Sequence, residues 1–321
     1  MSAPDRRIVG FHRDEEGHWV AELECGHNQH VRHEPPLVSR PWVLTEAGRS
    51  SHLGTTLACR LCAKAADPAS SAAPFKDYFS AVAASYARFR PRYPGELFAD
   101  LAGLAPGRAL AWDCATGNGQ AVAALAEQFA RVVATDASTR QLAQAAPHAR
   151  VTYRVARERD SGIEHGAVDL ITVAQALHWF DLDAFYEEVR RVLRPGGVLA
   201  TWCYDLPSVD PAVDTRLYWF AYELLGPYWA PERRHVVAGY RDLAFPFEEL
   251  PFPARVMRHE LTLEQLGGFL DTWSALARYR AERGEDPLPA FLAELAPRWG
   301  PAATRRTLTW PLRGRLGRAP G

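Results

Sequence analysis

The chain has 321 residues, 47% hydrophobic and 23% charged, with a net charge of -1. That length favours one large domain plus a small one, and the charge balance excludes a global field for nucleic acid or an anionic membrane. The opening MSAPDRRIVG has no apolar signal core, and no apolar run approaches the ~20 residues of a membrane span, so a cytoplasmic protein is expected.

The first 64 residues read as a small β-rich Cys/His module. Five cysteines, two of them as Cys59-x-x-Cys62, suit a metal in a reducing compartment better than a disulfide framework. If WVAELEC and QHVRH form a hairpin turning at His27-Asn28, then Cys25 and His30 are opposite and share a face. With Cys59 and Cys62 they make a Cys3His tetrahedral set, which suits structural zinc; His27 or His33 are the alternatives to His30. Four protein ligands leave no open position, so the expectation is structure or a protein partner, not metal catalysis. ELECGHNQHVRH (22–33) followed by LACRLC (57–62) resembles a small uncharacterised bacterial domain family with CGHxQHVRH and a later CxxC.

Residues 65–76 fall in a small, polar, Pro-containing stretch that reads as a linker. From 77 to the end, helical and β patterns alternate. Residues 75–104 read as helix in two pieces, broken at RPRYP (90–94). Strands are expected at ALAWD (109–113), RVVATD (131–136), VTYRV (151–155), VDLITVA (168–174) and GVLATWCY (197–204). Helices are expected between them at 119–130, 138–146 and 182–193. Short apolar runs separated by helices indicate an α/β domain, a parallel sheet with helices on both faces. Residues 205–253 and 263–300 read as helical lid or substrate segments, and RRTLTWPLRG (305–314) closes the chain. Its basic residues come with no recognition-helix pattern, so a nucleic-acid partner is not expected.

WDCATGNGQ (112–120) ends the first of these strands, where ligands of open parallel sheets bind. It lacks the Lys and Ser/Thr of a triphosphate loop. As a dinucleotide fingerprint it places Val122 where a small residue is required. Asp113 would oppose a pyrophosphate but suits a cationic α-amino group, and Asp136, ending the second strand, suits ribose hydroxyls. An acid for each end of an amino-acid-bearing nucleoside fits the shape of S-adenosylmethionine.

On these residues the chain resembles the class I S-adenosylmethionine-dependent methyltransferases, with a Rossmann-like sheet. The first motif reads D113-C-A115-T-G117-N-G119, with Ala115 in place of its first glycine. Asp136 with Ala137, AVDLITVAQALHWFD (167–181) and LRPGG (193–197) follow in the family's order. YARFRPRYP (86–94), AQALHWFD (174–181) and the closing TWPLRGRLGR are similar to the trans-aconitate methyltransferase-like subgroup. The resemblance implies S-adenosylmethionine as cofactor, with Tyr86, Asp113, Ala115, Gly117, Gly119, Asp136, Ala137, Glu158 and Gln175 around it. Where the family has an Ala-Glu or Asp-Ala pair after the third strand, this chain reads ARERD (156–160), with Glu158-Arg159 aligned.

Methyl transfer from a sulfonium needs alignment of donor and acceptor and exclusion of water. His178, after the fourth strand, is the candidate over the transfer site, and Trp179 a wall of the pocket. Arg90 and Arg92 could bind a small carboxylic acid acceptor through their guanidinium forks. The aromatic helix RLYWFAYELLGPYW (216–229) reads as part lid and part core. Cys114 and Cys203 read as small buried hydrophobes. A second reading is a non-catalytic protein that binds S-adenosylmethionine or a partner.

Overall fold

The computed structural model describes residues 5–14, 18–31, 41–59 and 91–319. The chain divides into two compact units, 1–76 and 77–321. Tyr86, Arg90, His33, Cys62 and the expected linker all lie outside the described residues.

The first unit is an antiparallel sheet of β1 (Asp5–Arg13), β2 (Trp19–Leu23), β3 (Asn28–His30) and β4 (Thr56–Ala58), ordered β3-β2-β1-β4, with helix α1 (Glu46–His52). Among the described residues its core comprises Ile8, Ala21, Leu23, Val31, Val43 and Cys59. The hairpin turns earlier than the sequence suggested. Leu23 bonds His27 at 3.0 Å and Gly26 bonds Leu23 at 2.8 Å, with Gly26 left-handed at φ 78°. Cys25 therefore sits in the turn, and His30 pairs with Val20 instead of facing Cys25. A glycine that reaches positive φ without steric cost fixed the register.

The second unit is built on a seven-stranded sheet. In chain order its elements are α2 (Gly95–Leu104), β5 (Leu110–Cys114), α3 (Val122–Gln128), β6 (Arg131–Asp136), α4 (Thr139–Leu142), β7 (Val151–Val155), β8 (Val168–Ala174), α5 (Leu182–Val192) and β9 (Leu193–Cys203). Then come α6 (Pro211–Tyr218), α7 (Arg233–Val237), β10 (Glu248–Leu250), β11 (Val256–Leu261), α8 (Leu263–Asp271), α9 (Ser274–Arg283), α10 (Leu288–Trp299), β12 (Arg306–Pro311) and β13 (Arg313–Arg318). The order is β10-β13-β9-β8-β5-β6-β7. Strands β5 to β9 are mutually parallel, as expected. β13 and β10 add an antiparallel edge that the sequence reading did not foresee.

Strand alternation sends side chains to two cores. Along β9, Val198, Ala200 and Trp202 join α2, α3 and the C-terminal helices, while Leu199 and Cys203 join α5. The segment read as helical at 263–300 holds α8, α9 and α10, the first two parted at Thr272-Trp273, where the Thr272 hydroxyl bonds the Phe269 carbonyl.

Asp169 pins the base of the sheet. Fully buried, it accepts the backbone N–H groups of Ala109 at 2.8 Å and Leu110 at 2.9 Å and lies 3.0 Å from Arg194. Removing it strands one buried and one part-buried backbone donor and leaves the Arg194 guanidinium without this carboxylate. Asp169→Ala should cost about 3 kcal/mol in chemical denaturation, and a loss under 1 kcal/mol would contradict the assignment.

Candidate active site

β5 has β6 on one side and β8 on the other, so the strand order reverses there and a crevice opens at the carboxyl ends. The turn after β5 descends into it with alternate left-handed residues: Ala115 at φ 56°, Gly117 at 58° and Gly119 at 87°. Ala115 thus adopts a backbone that favours glycine. At Gly117 an added Cβ would meet only the Gln141 amide oxygen, 3.8 Å away. The turn is a cradle open to a ligand.

Two acids flank this cradle. Asp136 accepts the Gly117 N–H and the Ser138 N–H, each at 2.8 Å, and so holds the turn. Asp113 is only 2% exposed. It takes the hydroxyls of Thr116 at 2.6 Å and Thr172 at 2.7 Å, which joins the turn to β8. It therefore lies beneath the turn, and a cationic group would reach it by displacing a threonine hydroxyl. Burial pushes its carboxyl up to about 6, against the lowering effect of those hydroxyls. Ala137 is half-buried beside Asp136. Glu158 lies in the short turn after β7, its charge within range of Cys114. Neither threonine was singled out from the sequence, since hydroxyls in apolar strands give no distinctive pattern.

β8 ends at Ala174, and Gln175 turns away left-handed at φ 57°, its amide donating to the Tyr204 carbonyl at 2.9 Å. A one-turn helix, Leu177–Trp179, follows, anchored by the buried Leu177. These residues open onto a pocket of about 80 Å3, lined also by Tyr204, Asp205, Trp229, Arg233, Phe269 and Trp273. Trp229 and Trp273 pack at 5.4 Å. His178 and Trp179 rings lie 4.6 Å apart. Desolvation lowers the His178 imidazole to about 3, so it is neutral at physiological pH. Burial raises the thiols of Cys114 and Cys203 well out of the reactive range.

The cationic group on this pocket is Arg233, not Arg92, and it shares the lining with Asp205. Arg92 is exposed, and its backbone N–H meets His259 Nε2 at 3.1 Å. Arg233 lies 3.9 Å over the Trp229 ring and pairs with Asp205, which also accepts the Tyr222 hydroxyl at 2.5 Å. Its Nε is sealed from water with no acceptor among the described residues. Within 216–229, Phe220 is core and Trp229 is pocket wall. Arg233 itself gave no signal, lying in an unremarkable PERRH stretch.

In the first unit, the ligating atoms of Cys25, His27 and Cys59 all lie within 4.8 Å of one another. The two Sγ atoms are 3.7 Å apart, and Cys59 Sγ is 3.6 Å from His27 Nδ1. Ligands of one tetrahedral zinc would be separated by about 3.8 Å for S–S and about 3.6 Å for S–N.

Residues 112–201 match a family described as a methyltransferase domain, and residues 9–66 match one described as a protein of unknown function, DUF3565. A protein of Dictyostelium discoideum described as a methyltransferase is 35% identical over 219 residues, 67% of this chain and 83% of its own. A Saccharomyces cerevisiae protein described as an S-adenosylmethionine-dependent methyltransferase is 26% identical over 170 residues, 49% of this chain and 58% of its own. A solved structure from Anaeromyxobacter dehalogenans, described as a type II methyltransferase, is 45% identical with a TM-score of 0.69, covering 73% of this chain and 100% of that one.

Asp113 gives a pH signature. An acid raised from 3.8 to about 6 takes up a proton on folding, so its stabilising contribution is full below 3.8 and is lost as pH rises through about 6. The stability of wild type relative to Asp113→Asn should therefore fall across that window in urea titrations. A constant difference would show that the carboxyl titrates normally.

Proposed function

Because the chain belongs to the S-adenosylmethionine-dependent methyltransferases, we propose that it methylates an oxygen of a small carboxylic acid bound in the aromatic pocket beside His178. The reading rests on one observation above others: the Arg233 guanidinium on the wall of an aromatic pocket, 3.9 Å over the Trp229 ring. Such a donor is matched by an anion, and an Arg fork suits a carboxylate.

S-adenosylmethionine supplies an already activated methyl carbon, so the protein's part is alignment and exclusion of water. The cradle of Ala115, Gly117 and Gly119, with Asp136 toward the ribose and Gln175 at the opposite rim, would hold it. Tyr86, Ala137 and Glu158 complete that proposed set. Trp179, Trp229 and Trp273 would wall the acceptor from solvent, and Arg233 would fix its orientation. An ionised carboxylate attacks without losing a proton, so no general base is required.

Methyl esters should form when carboxylic acids are screened with labelled S-adenosylmethionine. Arg233→Ala should raise the acceptor KM roughly 10- to 150-fold, for a charged hydrogen bond of about 1.5–3 kcal/mol, with cofactor affinity unchanged. An unaltered KM would remove Arg233 from the site.

For the first unit we propose one structural zinc on Cys25, His27, Cys59 and Cys62, with His27 in the place first given to His30. The ligand spacings support it, since they match those of one tetrahedral zinc, and a module of this size gains from such a staple. No helix of the described residues is long and apolar enough to cross a membrane. The purified protein should carry one zinc per chain by elemental analysis, and Cys59→Ser should lose it. Metal-free wild type with an unchanged melting profile would refute the site.

A further inference from the structure

His178 turns one ring nitrogen away from the acceptor pocket. Its Nδ1 lies 3.1 Å from the hydroxyl of Tyr240, a fully buried residue that does not line the pocket. The His178 residue also lines that pocket.

The fold sustains unusual backbone to put that hydroxyl there. Gly239 and Tyr240 are successive left-handed residues, at φ 65° and 64°, and a bulky residue in that region is an outlier. The turn is held by Tyr240 N–H to His235 O at 2.8 Å and Gly239 N–H to Val236 O at 2.9 Å. Strain of this kind persists where surrounding structure over-determines it, commonly at functional sites.

We infer that Tyr240 is a positioning residue that holds His178 as the neutral Nε2–H tautomer, a hydrogen-bond donor to an anionic acceptor and not a base. A phenol is a good donor, and the neutral imidazole offers one lone-pair nitrogen. With the Tyr240 O–H donating to Nδ1, the ring proton must sit on Nε2. The charged groups around the ring are His235, Arg233 and Glu232, the first two opposing its protonation; His235 is itself bonded to Asp242 at 2.8 Å. A donor at Nε2 complements the Arg233 guanidinium across the same pocket. The inference rests on the carboxylate reading for its acceptor, while the tautomer is inferred from the Tyr240 hydroxyl 3.1 Å from Nδ1.

The test is two-bond 1H–15N correlation on the full chain with 15N-labelled histidine, His178→Gln identifying the signals. The expected wild-type pattern is an unprotonated Nδ1 and a protonated Nε2, constant over about pH 5 to 8. In Tyr240→Phe, with S-adenosylmethionine affinity retained, both nitrogens should move toward the values of interchanging tautomers. A proton on Nδ1, a charged ring at neutral pH, or a Tyr240→Phe pattern identical to wild type would overturn the inference. The wild-type spectrum decides even if that variant fails to fold. With an acceptor in hand, a glutamine amide can still donate, so His178→Gln should retain about tenfold more activity than His178→Ala; equal losses would count against a donor role. A locked Nε2–H tautomer with no carboxylate methylated would remove the acceptor class and leave the tautomer assignment intact.

Discussion

The departure of the chain from the carboxyl ends of the central strands is the constraint on which the site depends. At β5 the strand order reverses, and the connections leave a crevice that the backbone must line without blocking. It does so with left-handed residues at Ala115, Gly117, Gly119 and Gln175. Non-glycine residues in such conformations cost of order 1–3 kcal/mol each and need local compensation. Around Ala115 this comes from the Thr116 hydroxyl on Asp113 and the Thr116 N–H on Thr135. Around Gln175 it comes from bonds to the Trp202 and Tyr204 carbonyls. Asp113 joins the two departures, since its other oxygen takes the hydroxyl of Thr172 on β8.

The acceptor pocket is assembled from segments far apart in the chain. Asp205 follows β9, Arg233 begins α7 and Trp273 separates α8 from α9, while Tyr222, in a π-helical turn after α6, and Arg313, on the antiparallel edge strand, meet Asp205 from outside the lining. The π turn, marked by the Leu225 to Phe220 bond, shifts the helical phase. Phe220 enters the core while Tyr222 meets Asp205. Aromatic walls lower the local dielectric, which strengthens these ionic contacts and keeps His178 neutral. The pocket thus combines fixed charge with an uncharged imidazole, a balance suited to orienting an anion.

Much of the catalytic unit's frame was legible in the sequence. RVVATD, VTYRV and VDLITVA form β6, β7 and β8 at the expected bounds, because parallel strands draw on short β-branched runs, buried in β6 and β8 and half-exposed in β7 at the sheet edge. The glycine turn and its flanking acids were legible for a local reason, since their positions follow from strand ends. By the same local logic Trp179 and His178 could be put on the pocket edge.

Tertiary structure decided what spacing cannot encode. Arg92 and Arg233 are alike as sequence, yet only Arg233 is brought over Trp229 and against Asp205. His27 gathers with the cysteines, and His30 does not face Cys25, because the Gly26 turn shifted the register of one short hairpin. Tyr240 reaches His178 across 62 positions of chain. Periodicity and turn chemistry act over a few residues and so determine elements and strand ends; which side chains share a pocket depends on how those elements pack, and that is settled only when the cores on the two faces of the sheet close.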